Sequence, residues 1–300
     1  MRLLLIQIVF VLSWSSGFIG AKLGTDDSGA INLLFWRFLL VCLCLLPFIY
    51  GQLSTLNWER VRYNAVIGFL SQFAYLVSLY IAIRHGLPAG IAAIIAALQP
   101  LITAAITRFS HQEQSGRREW LGLLVGFAGV GVVISGEYAL SSTHLSLWVY
   151  ALPLVSAITL TIATLYQRRQ ALIGSSHSQD GMFFPLFLQS ATSLVLLIAI
   201  GGFGGILQVP SSPSVWVSIG WLTVFSTFMA YLSLWRLLKD MSATKVAALV
   251  YLEPPVTLIW AAWMFGDAIH LTTYIGIAVV AVGLLIARRA TVPKQACVAT

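Results

Sequence analysis

Apolar runs of about 20 residues recur so often along this chain that little is left between them, and a helix of that length matches the hydrocarbon core of a bilayer, about 30 Å thick. Ten such runs are legible: 3–21, 30–50, 63–83, 87–109, 120–135, 147–166, 182–203, 215–238, 243–265 and 272–287. The connections are short and hold the turn-forming and charged residues, as at 25–29, 110–118, 174–181 and 210–213, which leaves no room for a domain outside the membrane. Composition agrees: 59% of residues are hydrophobic and 9% charged, against about 25% charged in an ordinary soluble domain. The expected fold class is all-α integral membrane. The start, Met1-Arg2 followed by the apolar 3–12, resembles a signal peptide but lacks a small-residue cleavage site, and it reads as the first span.

Orientation follows from the Lys and Arg residues on alternate loops. One side takes Arg2, Arg60, Arg62, Arg108, Arg117, Arg118, Arg168, Arg169, Arg236, Lys239, Lys245, Arg288, Arg289 and Lys294, and the other only Lys22 and Arg84. Fourteen against two predicts both termini in the cytoplasm and an even number of spans. The net charge of +7 is therefore a topology signal; the basic residues are scattered between apolar runs, so nucleic acid is excluded as a partner. Cys42, Cys44 and Cys297 have neither disulfide nor zinc spacing.

The chain also repeats itself. Leu98-Gln99-Pro100 with Thr103 matches Leu252-Glu253-Pro254 with Thr257 at an offset of 154, which also carries Gly122 onto Gly276 and Gly129 onto Gly283. Upstream, Ala74-Tyr75-Leu76 matches Ala230-Tyr231-Leu232 with the offset changed by two. Each copy holds five spans. Because five is odd, the second copy enters the membrane from the opposite side. The expected architecture is ten transmembrane helices as two inverted five-helix repeats, 1–140 and 141–290, followed by a cytoplasmic tail at 291–300. Inverted repeats are a transporter signature, with the substrate site at the repeat interface near the midplane.

These features resemble the EamA-type, ten-helix members of the drug/metabolite transporter superfamily. The resemblance spans nearly the whole chain. It rests on the five-plus-five duplication, Leu98-Gln99-Pro100 in the fourth span, Leu252-Glu253-Pro254 in the ninth, the glycines of the fifth and tenth, Trp14, and Arg37-Phe38 in the second. It implies a multi-pass protein of the bacterial inner membrane that exports amino acids, other metabolites or toxic organic compounds. It further implies a cavity lined by the first, third, fourth, sixth, eighth and ninth spans, and a structural pairing for Arg37, which inside lipid must snorkel or find a partner; binding of a substrate carboxylate is the second reading for that residue.

Glu253 is the one acidic residue placed well inside a span, about ten residues in and so roughly 15 Å deep. A carboxylate there must face a wet cavity, pair with a cation or hold a proton, which makes it the candidate for proton coupling. Gln99 is its counterpart in the first repeat. Pro100, Pro254 and Pro255 remove backbone donors and are expected to kink their helices, freeing carbonyls. The candidate substrate-binding set is Trp14, Ser15, Gln72, Tyr75, Tyr80, Gln99, Thr103, Tyr166, Tyr231, Trp235, Tyr251 and Glu253, whose rings suit an apolar, aromatic or cationic ligand. Gly122, Gly126 and Gly129 share one helix face, as do Gly276 and Gly283, which predicts close packing of the fifth span on the tenth.

The function expected is secondary-active transport of small molecules by alternating access in a monomer, with a homodimer as the other arrangement. A passive channel is the alternative, and a membrane enzyme a more remote one. The five histidines (His85, His111, His144, His177, His270) lie apart in loops, and no Walker motif is present, so no metal, no other cofactor and no direct ATP drive are expected. The partners are a small-molecule substrate and the lipid bilayer.

Overall fold

The computed structural model describes residues 2–110, 117–140, 144–172, 182–202, 205–241, 246 and 249–288. Among them every regular element is helical and none is a strand. The helices are α1 (Arg2–Ser28), α2 (Ala30–Ile49), α3 (Trp58–Arg84), α4 (Ala89–Ala96), α5 (Gln99–Ser110), α6 (Arg117–Leu140), α7 (Leu147–Leu172), α8 (Phe183–Gly202), α9 (residues 213–240), α10 (Glu253–Phe265) and α11 (Leu271–Arg288). Seven are long and apolar enough to cross a bilayer, and two shorter apolar helices cover Ala89–Thr103 and Leu271–Ile286. Large apolar side chains face outward, Trp263 at 82% exposure and Leu4 at 59%. In water such a surface would drive aggregation; in lipid it is the solvated face. The tail 291–300, His111, His177, Cys297 and most of the approach to α10 lie outside the described residues.

Two helices run further than the sequence suggests. α1 continues seven residues past 21 to Ser28, because Gly29 (φ 78°) is the first position where the backbone turns. Its acidic last turn is held by side chains: Asp27 accepts from Ser212 Oγ at 3.0 Å and from Ser214 Oγ at 2.6 Å. Lys22 pairs with Asp267 and lies 4.8 Å above the Phe265 ring. α6 continues to Leu140, so Glu137, expected beyond the helix end, lies within it and is buried.

The described helices fall into two compact units. The first holds residues 1–97 and 145–268. Within it α1 lies against α9 through Gly17, Gly20 and Gly24: a Cβ at Gly17 would stand 2.8 Å from Ser226 Oγ, and one at Gly20 would stand 2.6 Å from the Leu222 side chain. Lipid offers no hydrophobic drive between helices, so small residues that let backbones approach carry the association. Ser218 Oγ donates to the Gly20 carbonyl at 2.6 Å and Trp221 Nε1 to that of Ser16 at 3.1 Å. α2 packs on α8 through Val41, Leu45 and Leu186. α3 meets α8 so closely that a Cβ at Gly68 would stand 2.6 Å from the Gln189 carbonyl oxygen.

The second unit holds residues 98–144 and 269–300. Its described core is the pairing of α6 with α11, built on the glycines of both helices. A Cβ at Gly129 would stand 2.8 Å from the Val280 nitrogen, and one at Gly283 would stand 2.6 Å from the Gly122 carbonyl oxygen.

Among the described residues, two helices contain a π-helical segment, Phe69–Ala74 in α3 and Leu222–Met229 in α9. A π turn fits an extra residue and rotates the two flanking stretches of helix relative to each other; such segments are concentrated at functional sites. Each leads directly into a repeat-matched tyrosine region, Tyr75 and Ala230-Tyr231.

Candidate functional site

Inside the first unit lies a cavity whose open space, with the mouth and adjoining solvent counted, is about 720 Å³. α1 contributes Trp14, Gly17 and Phe18; α2 contributes Arg37 and Phe38; α3 contributes Ser71, Gln72, Tyr75, Leu76, Leu79 and Tyr80. α7 adds Leu160, α8 adds Leu186, α9 adds Ser226, Thr227 and Tyr231, and α10 adds Glu253. Among the described residues the wall is largely apolar and aromatic, with one guanidinium and one carboxylate.

Arg37 is held by hydroxyls. Nη1 donates to Tyr80 Oη at 2.8 Å, and Nη2 to Thr227 Oγ1 at 3.1 Å and to Ser226 Oγ at 3.4 Å. Thr227 Oγ1 donates in turn to the Leu222 carbonyl at 3.1 Å, a residue five back that the π segment brings within reach. Glu253 is the first residue of α10, directly after the turn at 251–252. Its side chain is buried and makes no hydrogen bond or ion pair among the described residues, while its carbonyl oxygen lies 3.5 Å from Ser15 Oγ. Tyr75 lies within electrostatic reach of Glu253, Tyr80, Tyr231 and Arg37.

Gln72 sits in a buried ladder of amides. Its Nε2 donates to Gln189 Oε1 at 3.3 Å and its Oε1 accepts from Ser190 Oγ at 3.1 Å; Gln189 Nε2 donates to Asn64 Oδ1 at 3.2 Å, and Asn64 Nδ2 to the Arg60 carbonyl at 3.0 Å. Gln72 also hydrogen-bonds Tyr231, whose ring lies 6.2 Å from that of Trp14. Buried amides in a low-dielectric interior are tolerated when their groups are paired in this way, and the pairing fixes their orientation.

Six of the twelve residues expected to bind substrate therefore line one cavity: Trp14, Gln72, Tyr75, Tyr80, Tyr231 and Glu253. The other six do not line it. Ser15 is buried beside the start of α10. Tyr166 packs on Tyr63 with ring centroids 5.7 Å apart, and Trp235 is 45% exposed with the Lys239 ammonium 3.6 Å above its ring. Tyr251 stands in the turn before Glu253. Gln99 and Thr103 belong to the second unit, where Thr103 Oγ1 donates to the Gln99 carbonyl at 2.8 Å. By helix, among the described residues the second and seventh spans join the wall and none from the fourth does.

The sequence puts Arg37 first in a structural pair and only second at a substrate carboxylate, and it does not single out Ser226 or Thr227; all three line the cavity. A signal for Thr227 was present. The register that aligns Tyr75 with Tyr231 also aligns Ser71 with Thr227, and all four residues line the cavity. The prolines act differently from a kink. Pro100 and Pro254 occupy the second position of restarted helices, each after a turn, at 97–98 and 251–252.

The model of the EamA-like transporter family matches residues 1–135 and again 147–289. The inner membrane transporter YedA of Escherichia coli (strain K12), itself described as uncharacterized, is 25% identical over 268 residues, covering 89% of this chain and 84% of its own length. A protein of Salmonella typhimurium named as a probable amino-acid metabolite efflux pump is 26% identical over 289 residues, covering 94% and 93%. A crystal structure at 18% identity covers 97% of this chain and 98% of its own with a TM-score of 0.59, a likeness of fold. With both matched segments together spanning nearly the whole sequence, the chain belongs to the EamA-like transporter family and is a multi-pass membrane transporter.

Proposed function

We propose that this chain is a secondary-active carrier of the bacterial inner membrane that exports small metabolites, amino acids or toxic organic compounds among them, by alternating access coupled to protons through Glu253. The architecture proposed for it is ten spans in two inverted five-helix repeats with both termini in the cytoplasm. Support for the duplication comes from the two family matches in tandem and from the helix restarts 154 residues apart. The observation that carries the reading is the cavity: a partly open space among apolar helices whose wall holds a guanidinium and a carboxylate that do not pair with each other. An apolar helix bundle keeps such groups at considerable cost unless a substrate or proton uses them.

Glu253 suits the proton role because it opens onto the cavity with no fixed partner among the described residues. A carboxylate in that position exchanges its proton with whatever water or ligand the cavity admits. Purified protein in liposomes should show saturable uptake and counterflow, both sensitive to an imposed pH gradient. Linear, non-saturating flux without counterflow would favour a channel. In Glu253→Gln, gradient-driven uptake should vanish while exchange without a gradient persists; unchanged coupling in that variant removes the proton role.

A further inference from the structure

The Arg37 guanidinium is oriented, and no group among the described residues neutralises it. It is 5% exposed, and the groups meeting it among the described residues carry no charge: the hydroxyls of Tyr80, Thr227 and Ser226, and the Phe38 ring 5.6 Å away. Its Nε is buried with no hydrogen-bond partner. No carboxylate among the described residues lies within ion-pair distance of it, Glu253 in the same cavity included. Hydroxyl dipoles hold a guanidinium in place, yet a full counter-charge contributes far more in a low-dielectric site. The planar fork of an arginine accepts a carboxylate through two parallel N–H donors.

We infer that Arg37 is the carboxylate-recognition group of this cavity, and that its ligands are small organic acids, amino acids included, carrying a free carboxylate on an apolar or aromatic body. The inference rests on the carrier reading and narrows its substrate class. It places organic cations without a carboxylate outside that class. The weakest of the three hydroxyl contacts, Ser226 at 3.4 Å, is the one a ligand oxygen displaces, and a small rotation of the fork then brings Nε beside Nη2 as the second donor. The apolar body of the ligand packs on Phe18, Leu79 and Leu160, beside Trp14 and Tyr231. The competing view makes Arg37 a clamp that ties α2 to α3 and α9 and touches no ligand.

The test uses the purified full chain and matched probes: phenylalanine, leucine, glutamine and 3-phenylpropionate, each beside its carboxamide, with phenethylamine as the cation. Thermal stabilisation should favour at least one acid over its own amide by about tenfold or more in apparent affinity, the discrimination expected when a charge-assisted bond is lost. Equal stabilisation by acid and amide, binding of amides and amines only, or no binding by any acid overturns the inference. Arg37→Lys keeps the charge and removes the fork, so the acid-to-amide ratio should fall toward one in folded protein. A clamp alone would lower the melting temperature of that variant and leave the ratio where it was. If liposomes exchange phenethylamine saturably and ignore the acids, Arg37 loses this role and the carrier reading stands; if no compound shows saturable exchange, the carrier reading itself fails.

Discussion

At Ala97-Leu98 and again at Tyr251-Leu252 a helix stops, turns and restarts, and the two restarts are alike to the hydrogen bond. Ile102 N donates to Leu98 O at 3.0 Å, and 154 residues on Val256 N donates to Leu252 O at 3.2 Å. Neither restart has a side-chain cap hydrogen bond from its leading leucine, and each has proline at its second position. The first residue differs. Glu253 projects a carboxylate into the wall of a cavity in its own unit, while Gln99 in the other unit accepts from Thr103 through its backbone. The two restarts share a backbone device and differ in chemistry, so changes to the shared device should act alike at both, and changes to the chemistry should act at one.

The largest effect expected comes from the chemistry. Glu253→Gln should reduce proton-driven uptake in liposomes by at least about tenfold, because an amide cannot take up and release the coupled proton. Gln99→Glu should leave uptake within about twofold, and adding it to Glu253→Gln should not restore coupling. Recovery in the double variant would mean that the two restarts are functionally interchangeable, and the asymmetry between Glu253 and Gln99 would have no functional meaning.

The fold-carrying glycines should behave in the opposite, symmetrical way. Gly129→Val and Gly283→Val each push a side chain into the backbone of the partner helix in the α6–α11 pair. Overpacking of that kind costs about 1–3 kcal/mol. Both variants should therefore unfold at lower temperature by similar amounts in detergent. Tolerance of one and collapse of the other would show that the pair is not packed evenly along its length.

How much of the molecule is legible in its sequence depends on the kind of signal. Long apolar stretches such as 30–50 and 182–203 announce their helices because lipid demands length and apolarity, and α2 and α8 begin and end close to those limits. The end of α1 is not legible. Asp26 and Asp27 look like a turn until Ser212 and Ser214, nearly two hundred residues away, supply the hydrogen bonds that let the helix continue to Ser28. The site is half legible for a related reason. An amphipathic surface helix reveals its inner face by its polarity, but Tyr231 on the cavity and Trp235, packed under Lys239, are both aromatic and stand one turn apart on nearly the same face of their helix, so polarity does not separate them. Arg37 and Thr227 lie too far apart in sequence for their meeting to be read, and the π segment that presents Thr227 has no periodic signature.

The smallest effect concerns the prolines, and it separates a restart from a kink. A proline in a helix interior costs about 3 kcal/mol because it removes a hydrogen bond and collides with the preceding turn; exchanging such a residue for alanine should stabilise the protein by an amount of that order. At the second position of a new helix the missing N–H has no intrahelical acceptor to lose. The bonds that do form begin at Ile102 and Val256, beyond Pro100 and Pro254. Pro100→Ala and Pro254→Ala should then shift stability by under about 1 kcal/mol, and downward, since alanine frees the unfolded chain without adding a contact. Matching small decreases in melting temperature from both variants would support paired restarts, whereas a clear gain from either would mark that site as a strained kink and end the equivalence of the two breaks.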